Sequence, residues 1–335
     1  MGYRIGFDIG STTIKAVVLD ENNQICYKSY ERHKAQVRQK ALDKLVELKK
    51  YTKEPFKFAI SGSGALGLSE QGELPFVQEV FASATGVSKL YPETDCAIEL
   101  GGEDAKILFF QGSVEQRMNS TCAGGTGAFI DQMATLLNMS LEEMNEASLN
   151  YHRLYPIASR CGVFAKTDIQ PLINQGVDKC DLCASIFQAV VDQTITSLAQ
   201  GRKIEGNILF LGGPLYFMSG LRNRFVETLK LSDVQVNCPD TAINFVALGT
   251  AICADQEYTY DELYKALEDL VHAPAKLTES KPLFESEEDY QKFIERHKSH
   301  DAKYADLKNY AGKAYLGIDS GSTTTKLVLL DENDA

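Results

Sequence analysis

Across 335 residues, 34 lysines and arginines face 46 aspartates and glutamates, for a formal charge of −12. That balance excludes a nucleic-acid surface, which needs clustered cations against phosphates, while 44% hydrophobic content supports one large or two medium domains. No apolar run approaches the ~20 residues that span a bilayer, and the N-terminus enters a strand with no signal sequence, so the chain is expected in the cytoplasm with its eight cysteines reduced.

In chain order, residues 3–8 form an apolar strand and residues 15–20 run back antiparallel to it. A third strand over 25–30, a helix over 39–50 and a strand over 56–60, closed by a glycine-rich 61–67, complete one α/β lobe, residues 1–90. The second lobe, residues 91–255, opens with strands over 95–100 and 105–110 around a turn at 101–104. Helical spacing follows over 128–137, 141–147 and 181–198. A strand over 207–211 ends in two glycines; a helix over 221–229, a strand over 234–237 and a helix over 244–254 close the lobe. Residues 256–314 turn rich in Glu, Lys, Tyr and Asp, with helical stretches near 260–270 and 287–307. Such charge patterning marks a solvated helical linker.

Residues 6–22 recur at 317–333 with 12 of 17 positions identical, at a constant offset of 311. Each copy reads as strand, Gly-rich turn, strand, and a repeat this close governs the reading of the chain. The chain is expected to hold one full module and the first hairpin of a second, residues 315–335. A hairpin left without neighbours invites edge pairing.

Three strand-end turns carry the chemistry. Asp8 ends the first strand, and Gly10, Ser11, Thr12 and Thr13 follow. Successive turn amides form an anion-binding nest, three hydroxyls add donors, and Lys15 brings positive charge to the β/γ-phosphates. Asp8 is suited to Mg²⁺, which keeps much of its hydration shell. Glu99, Gly101, Gly102 and Asp104 repeat the pattern, with Glu99 or Asp104 available to Mg²⁺ or an attacking water. Gly212, Gly213 and Pro214, between a strand and a helix, suit an adenosine. One such turn alone is an ordinary hairpin; three form a constellation. GxxxxGK[ST] is absent, which excludes a P-loop protein.

This set resembles the sugar kinase, Hsp70 and actin superfamily. The resemblance implies an α/β fold of two ribonuclease-H-like lobes with ATP in the cleft between them.

Two cysteine motifs separate the chain from a sugar kinase. Cys122 lies in NSTCAGGTG, which also brings Gly125 and Thr126 near the nucleotide, and Cys161 lies in SRCGVFAK. Each precedes a predicted helix start, where the dipole favours a thiolate and the charge of an iron–sulfur cluster. Two ligands are too few for a four-cysteine cluster, but a symmetric dimer supplies four. On spacing alone, small core residues remain the alternative.

DIGSTTIK, IELGGEDAK, STCAGGTGAF, RCGVFAKTD and LGGP occur here in an order that resembles the 2-hydroxyacyl-CoA dehydratase activators over about residues 3–255. These are also called CoA-substrate-specific enzyme activases, and are related to the ATPase subunits of benzoyl-CoA reductase. The resemblance implies a homodimer with one [4Fe–4S] cluster bridged by Cys122 and Cys161 of both subunits. It also implies ATP-driven transfer of a low-potential electron from a ferredoxin or flavodoxin to a dehydratase or reductase partner. The repeat resembles large tandem members, in which a second module supplies the other cysteine pair. Family members commonly carry Asp where Glu99 stands, Gln at Glu103 and an acidic residue at Lys166, which puts the hydrolysis rate in doubt. Two alternatives share the nucleotide loops: a small-molecule kinase using Asp131 or Asp168 as base, and a nucleotide-binding scaffold without turnover. Cys180 and Cys183 lack a thioredoxin-like context and read as structural, with Cys26, Cys96, Cys238 and Cys253 as packing residues. The five histidines show no metal spacing and are given no role.

Overall fold

The computed structural model describes residues 2–119, 124–158, 162–274, 282–301, 304, 306, 308–321 and 324–332. It divides into two compact units, Met1–Pro274 and Ala275–Ala335.

The first unit begins with β1 (Arg4–Ile9), β2 (Thr13–Leu19), β3 (Ile25–Arg32), α1 (Val37–Glu47), β4 (Phe56–Ser61), α2 (Leu66–Gly72) and α3 (Glu79–Leu90). There follow β5 (Cys96–Leu100), β6 (Ala105–Phe109), β7 (Glu115–Met118), α4 (Gly127–Leu137), α5 (Leu141–Ser148), α6 (Gly162–Asn174) and α7 (Lys179–Thr194). β8 (Ile208–Leu211), α8 (Gly213–Phe217), α9 (Ser219–Leu229), β9 (Val236–Asn237), α10 (Phe245–Cys253), β10 (Glu257–Tyr258) and α11 (Tyr260–His272) complete it.

Two sheets share one topology over their first four strands and differ in the fifth, which is antiparallel in the first sheet and parallel in the second. The first is ordered β10-β4-β1-β2-β3 and the second β7-β6-β5-β8-β9. In each, three strands form an antiparallel meander, and a fourth returns parallel to the first. This is the two-lobed α/β architecture of ribonuclease-H-like folds.

Strand periodicity sorts the side chains into three cores. Ile5, Phe7 and Ile9 of β1 pack with Leu42 and Leu45 of α1 on one face of the first sheet. Val17 and Leu19 of β2 face the other way, into a cluster shared with Ala97, Leu108 and Leu209 of the second sheet. Helices α3 and α10 fill that shared layer. They approach closely: a Cβ on Gly249 would lie 2.0 Å from the Ala82 carbonyl oxygen. The sequence of α3 is small and weakly patterned for this reason, and its periodicity does not announce a helix. The far face of the second sheet packs against α4, α7 and α9.

The reading of residues 256–314 as a solvated linker fails over its first part. β10 adds an antiparallel strand to β4, and α11 buries Leu263, Leu267 and Leu270 against the first sheet. Thr259 and Glu262 close a reciprocal capping box at its start. The leucines recur at i, i+4 and i+7, one helical face, under a surface charged enough to mask them. Leu263→Ala is expected to lower stability by about 2–5 kcal/mol in a denaturant titration; an unchanged midpoint would return this segment to the linker.

The run Lys179–Ala199 also departs from expectation. It is 21 residues long and apolar enough to cross a membrane by length and composition. Its Leu182, Ile186, Phe187, Val190 and Val191 are instead fully buried in the second sheet's core.

In the second unit, α12 (Glu287–Lys298) precedes an antiparallel hairpin of β11 (Ala314–Ser320) and β12 (Thr325–Asp331). Among the described residues, helical structure ends at Lys298, and residues 299–301, 304 and 306, within the stretch expected to be helical, are not.

Candidate nucleotide site

The turn between β1 and β2 closes with the Gly10 amide donating to the Thr13 carbonyl at 2.9 Å. Antiparallel pairing puts Asp8 opposite Lys15, and their side chains meet at 2.7 Å with 4% and 18% exposure. Burial works against the Lys15 charge, but Asp8 outweighs it and holds the ammonium above its usual range.

The β5–β6 turn repeats the device, with the Gly101 amide on the Asp104 carbonyl at 2.7 Å. The next contact was not legible in sequence. The first amides of α4, from Gly127 and Ala128, donate to the carbonyls of Gly101 and Gly102 at 3.0 and 2.7 Å. The second turn and the start of α4 are therefore one hydrogen-bonded body.

The third turn follows β8. Gly212 adopts φ +87°, its amide donates to the Ala242 carbonyl at 3.0 Å, and α8 starts immediately after it. The three turns converge on one cavity of about 520 Å³, a size typical of small-molecule sites.

Asp8, Lys15, Glu99, Thr12, Thr13, Gly101 and Gly102 line this cavity, as do Gly212, Gly213 and Pro214. Gly10 and Ser11 belong to the first turn but do not wall it. Three expected site residues are placed differently. The Asp104 carboxylate turns to Lys106 at 2.9 Å instead of the cavity. Thr126 is fully buried, and a Cβ on Gly125 would meet Gln193 of α7 at 2.9 Å, so both lie behind the wall. The residues of this motif that line the cavity are Gly127 and Ala128.

Glu99 sits in a buried ion cluster. Lys106 reaches Glu79 at 2.5 Å, Asp104 at 2.9 Å and Glu99 at 3.4 Å, and Ser83 of α3 donates to the other Glu99 oxygen at 3.0 Å. Burial pushes the Glu99 carboxyl above its usual range while Lys106 opposes the rise. Lys106 itself is held well above the ordinary lysine range, its carboxylate partners outweighing burial.

Sequence reasoning missed the rest of the wall. Tyr30 and Arg32 come from β3, Asn145 and Glu146 from α5, and Phe217 from α8. Tyr30 and Phe217 meet across the cleft in an edge-to-face contact at 6.3 Å. Asn145 is fixed by accepting from the Gly220 amide at 2.9 Å. No local motif marks these residues, because their elements converge only on folding. Asp131, offered above as a kinase base, lines the cavity, whereas Asp168 is absent from its wall and caps the Ala158 amide at 2.8 Å.

Cys122 and Cys161 lie outside the described residues. Of their described flanks, α4 and α6 begin side by side: a Cβ on Gly162 would lie 3.4 Å from the Phe129 ring. Among the described residues no group of three His, Cys, Asp or Glu converges on a metal position. Cys96 and Cys183 are core thiols pushed up to about 12 by burial, which makes them inert. Cys26 is exposed on the edge strand, not packed as expected.

Residues 5–254 match the BadF/BadG/BcrA/BcrD ATPase family. The chain belongs to that family. Among relatives of this ATPase, the activator of lactoyl-CoA dehydratase from Anaerotignum propionicum is 29% identical over 75% of this chain and 97% of its own. Among solved structures, component A of (R)-2-hydroxyglutaryl-CoA dehydratase from Acidaminococcus fermentans superposes with a TM-score of 0.67 at 25% identity, covering 80% of this chain and all of that one. The activator of 2-hydroxyisocaproyl-CoA dehydratase from Clostridium difficile, solved with bound ADPNP, gives 0.66 at 26% identity over 81% and 98%. The ATPase assignment and the two-lobed cavity agree on a nucleoside triphosphate as the ligand class.

Proposed function

We propose that this ATPase is the activating module for a 2-hydroxyacyl-CoA dehydratase or a benzoyl-CoA reductase-like partner. ATP binding and hydrolysis in the cavity drive delivery of one low-potential electron to that partner. The activities of the relatives support the reading, and one observation carries it. The amides that open α4 are bonded to the second phosphate turn, so a change at the phosphates reaches the helix that follows the Cys122 motif with no intervening joint.

In this reading Lys15 and the turn amides stabilise the phosphates, since phosphoryl transfer is catalysed mainly by positioning and charge. Asp8, Glu99 and the Thr12 and Thr13 hydroxyls form the all-oxygen wall that suits Mg²⁺, which would neutralise phosphate charge. Cys122 and Cys161 would hold the [4Fe–4S] cluster, with the second pair from a homodimer mate or a second module. The bound cluster supplies one-electron chemistry. The paired starts of α4 and α6 fit this role, because two helix N-termini favour anionic thiolates. A ferredoxin or flavodoxin is the donor class.

Iron and sulfide content on anaerobically reconstituted protein, measured beside ATP hydrolysis, tests the reading. About four irons per dimer are expected, lost in both Cys122→Ala and Cys161→Ala. An iron-free protein that still binds nucleotide, also when joined to a second module, would overturn it. The place of Asp131 on the cavity wall favours one second reading, a small-molecule kinase. Phosphate transfer to a hydroxyl substrate, abolished in Asp131→Asn, would establish that instead.

A further inference from the structure

Arg32, the last residue of β3, and His33, which follows it, close a side of the first phosphate turn that no nucleotide motif predicts. Pairing sets Arg32 opposite Thr13. His33 follows it and is 3% exposed. Its backbone amide donates to the Thr12 carbonyl at 3.2 Å, and its ring Nε2 lies 3.0 Å from the Gly10 carbonyl oxygen. The Ala35 amide in turn meets ring Nδ1 at 3.2 Å.

These partners assign the ring's proton. A carbonyl only accepts and an amide only donates, so Nε2 carries the hydrogen and Nδ1 is the acceptor. Lys34 and Ala35 adopt φ of +49° and +62° to bring that amide back. Two successive non-glycine residues in the left-handed region carry strain that surrounding structure must hold in place.

The consequence falls on the turn. Peptide planarity sets each N–H opposite its C=O. With the Gly10 and Thr12 carbonyls both drawn to His33, the amides of Ser11 and Thr13 are aimed to the opposite side, the arrangement that makes an anion nest. Arg32 adds charge where it is short. Arg32 and Lys15 are the cations on the described cavity wall, against six carboxylates. Lys15 is engaged by Asp8, whereas Arg32 is exposed and has no ion pair among the described residues.

We propose that the end of β3 completes the phosphate site, with His33 as the positioning residue that sets the turn amides and Arg32 as the group that contacts the terminal phosphate. The proposal rests on the reading of this cavity as an ATP site.

Steady-state ATP hydrolysis and the binding of ADPNP and ADP, measured on five forms of the full chain, test it. The glutamine amide of His33→Gln can reach the Nε2 position, whereas His33→Asn keeps only the Nδ1-like acceptor. His33→Asn is expected to raise the KM for ATP about tenfold or more, and His33→Gln to recover most of that loss. Arg32→Ala, at an exposed position, is expected to weaken ADPNP about tenfold while changing ADP little, and Arg32→Lys to fall between. Equal impairment of both His33 variants, wild-type KM in His33→Asn, or an unchanged ADPNP-to-ADP ratio in Arg32→Ala would overturn the proposal. Wild-type protein that binds neither nucleotide would instead overturn the ATP-site reading beneath it.

Discussion

Lys15→Met is expected to lower ATP turnover by about 10²–10³-fold, the scale for removing one preorganised group from developing charge. Lys15 lines the cavity beside the first turn, held at 2.7 Å by Asp8. The substitution has a second effect. It leaves Asp8, at 4% side-chain exposure, as a buried carboxylate without its partner, and breaking such a pair costs about 3–5 kcal/mol. Asp8→Asn with Lys15→Met removes both charges and is expected to regain much of that stability without regaining turnover. The sign of the pH dependence follows from the raised Lys15 ionisation. The pair's stabilisation is fully present below the unfolded lysine range and is lost only as pH rises through the higher folded value. The stability gap between wild type and Lys15→Met should therefore hold through neutral pH and narrow in strong alkali. Turnover within threefold of wild type in Lys15→Met would remove Lys15 from the chemistry.

Gly212→Ala is expected to cost about 3 kcal/mol or more and to abolish nucleotide binding. At φ +87° and ψ +163° the backbone is in a region that essentially only glycine occupies, worth about 1–3 kcal/mol of strain for any other residue. Space is the larger obstacle. A Cβ there would lie 2.0 Å from the Leu100 carbonyl oxygen, at the end of the strand that carries the second phosphate turn. Relief requires β8 to move from β5, and overpacking of this kind adds about 1–3 kcal/mol. The neighbouring Gly213→Ala is the control, because its Cβ would meet the Tyr30 hydroxyl at 3.9 Å and the Phe217 ring at 4.0 Å, both ordinary contacts. Thermal melts and ADPNP binding on both variants check this; equal behaviour of the two would show that the third turn does not depend on the Gly212 backbone.

The strand-end turns were legible because each is a local device. Gly10–Thr13, Gly101–Asp104 and Gly212–Pro214 announce themselves by glycines at the end of an apolar run, joined by hydroxyls in the first and carboxylates in the second. The helix α3 and the burial of α11 were not. One is too small-residue-rich and the other too charged to display the face it buries. Asn145, Phe217 and Arg32 reach the cavity from three separate segments, and the ring of His33, set against the first turn by β3, is held from behind by a strained two-residue bend. None of these carries a signal within its own few residues.

The repeated stretch separates the two kinds of information. In β1–β2, Asp8 stands opposite Lys15; in β11–β12, Asp319 stands opposite Lys326 in the same register. The charged pairs form in both, at 2.7 and 3.0 Å. Turn chemistry and strand pattern suffice for this, since hairpin register is set by the turn and by side-chain alternation. The surroundings differ. Asp319 and Lys326 are 66% and 71% exposed, and an ion pair in water contributes little. Asp8 and Lys15 are enclosed by the layers that α1, α3 and α10 place around the first sheet. The sequence alone therefore determined the hairpin, its pairing and its Asp–Lys contact. Tertiary packing decided that the first copy is desolvated and faces a second lobe across a cavity, because burial is a property of the assembled layers and not of the seventeen residues.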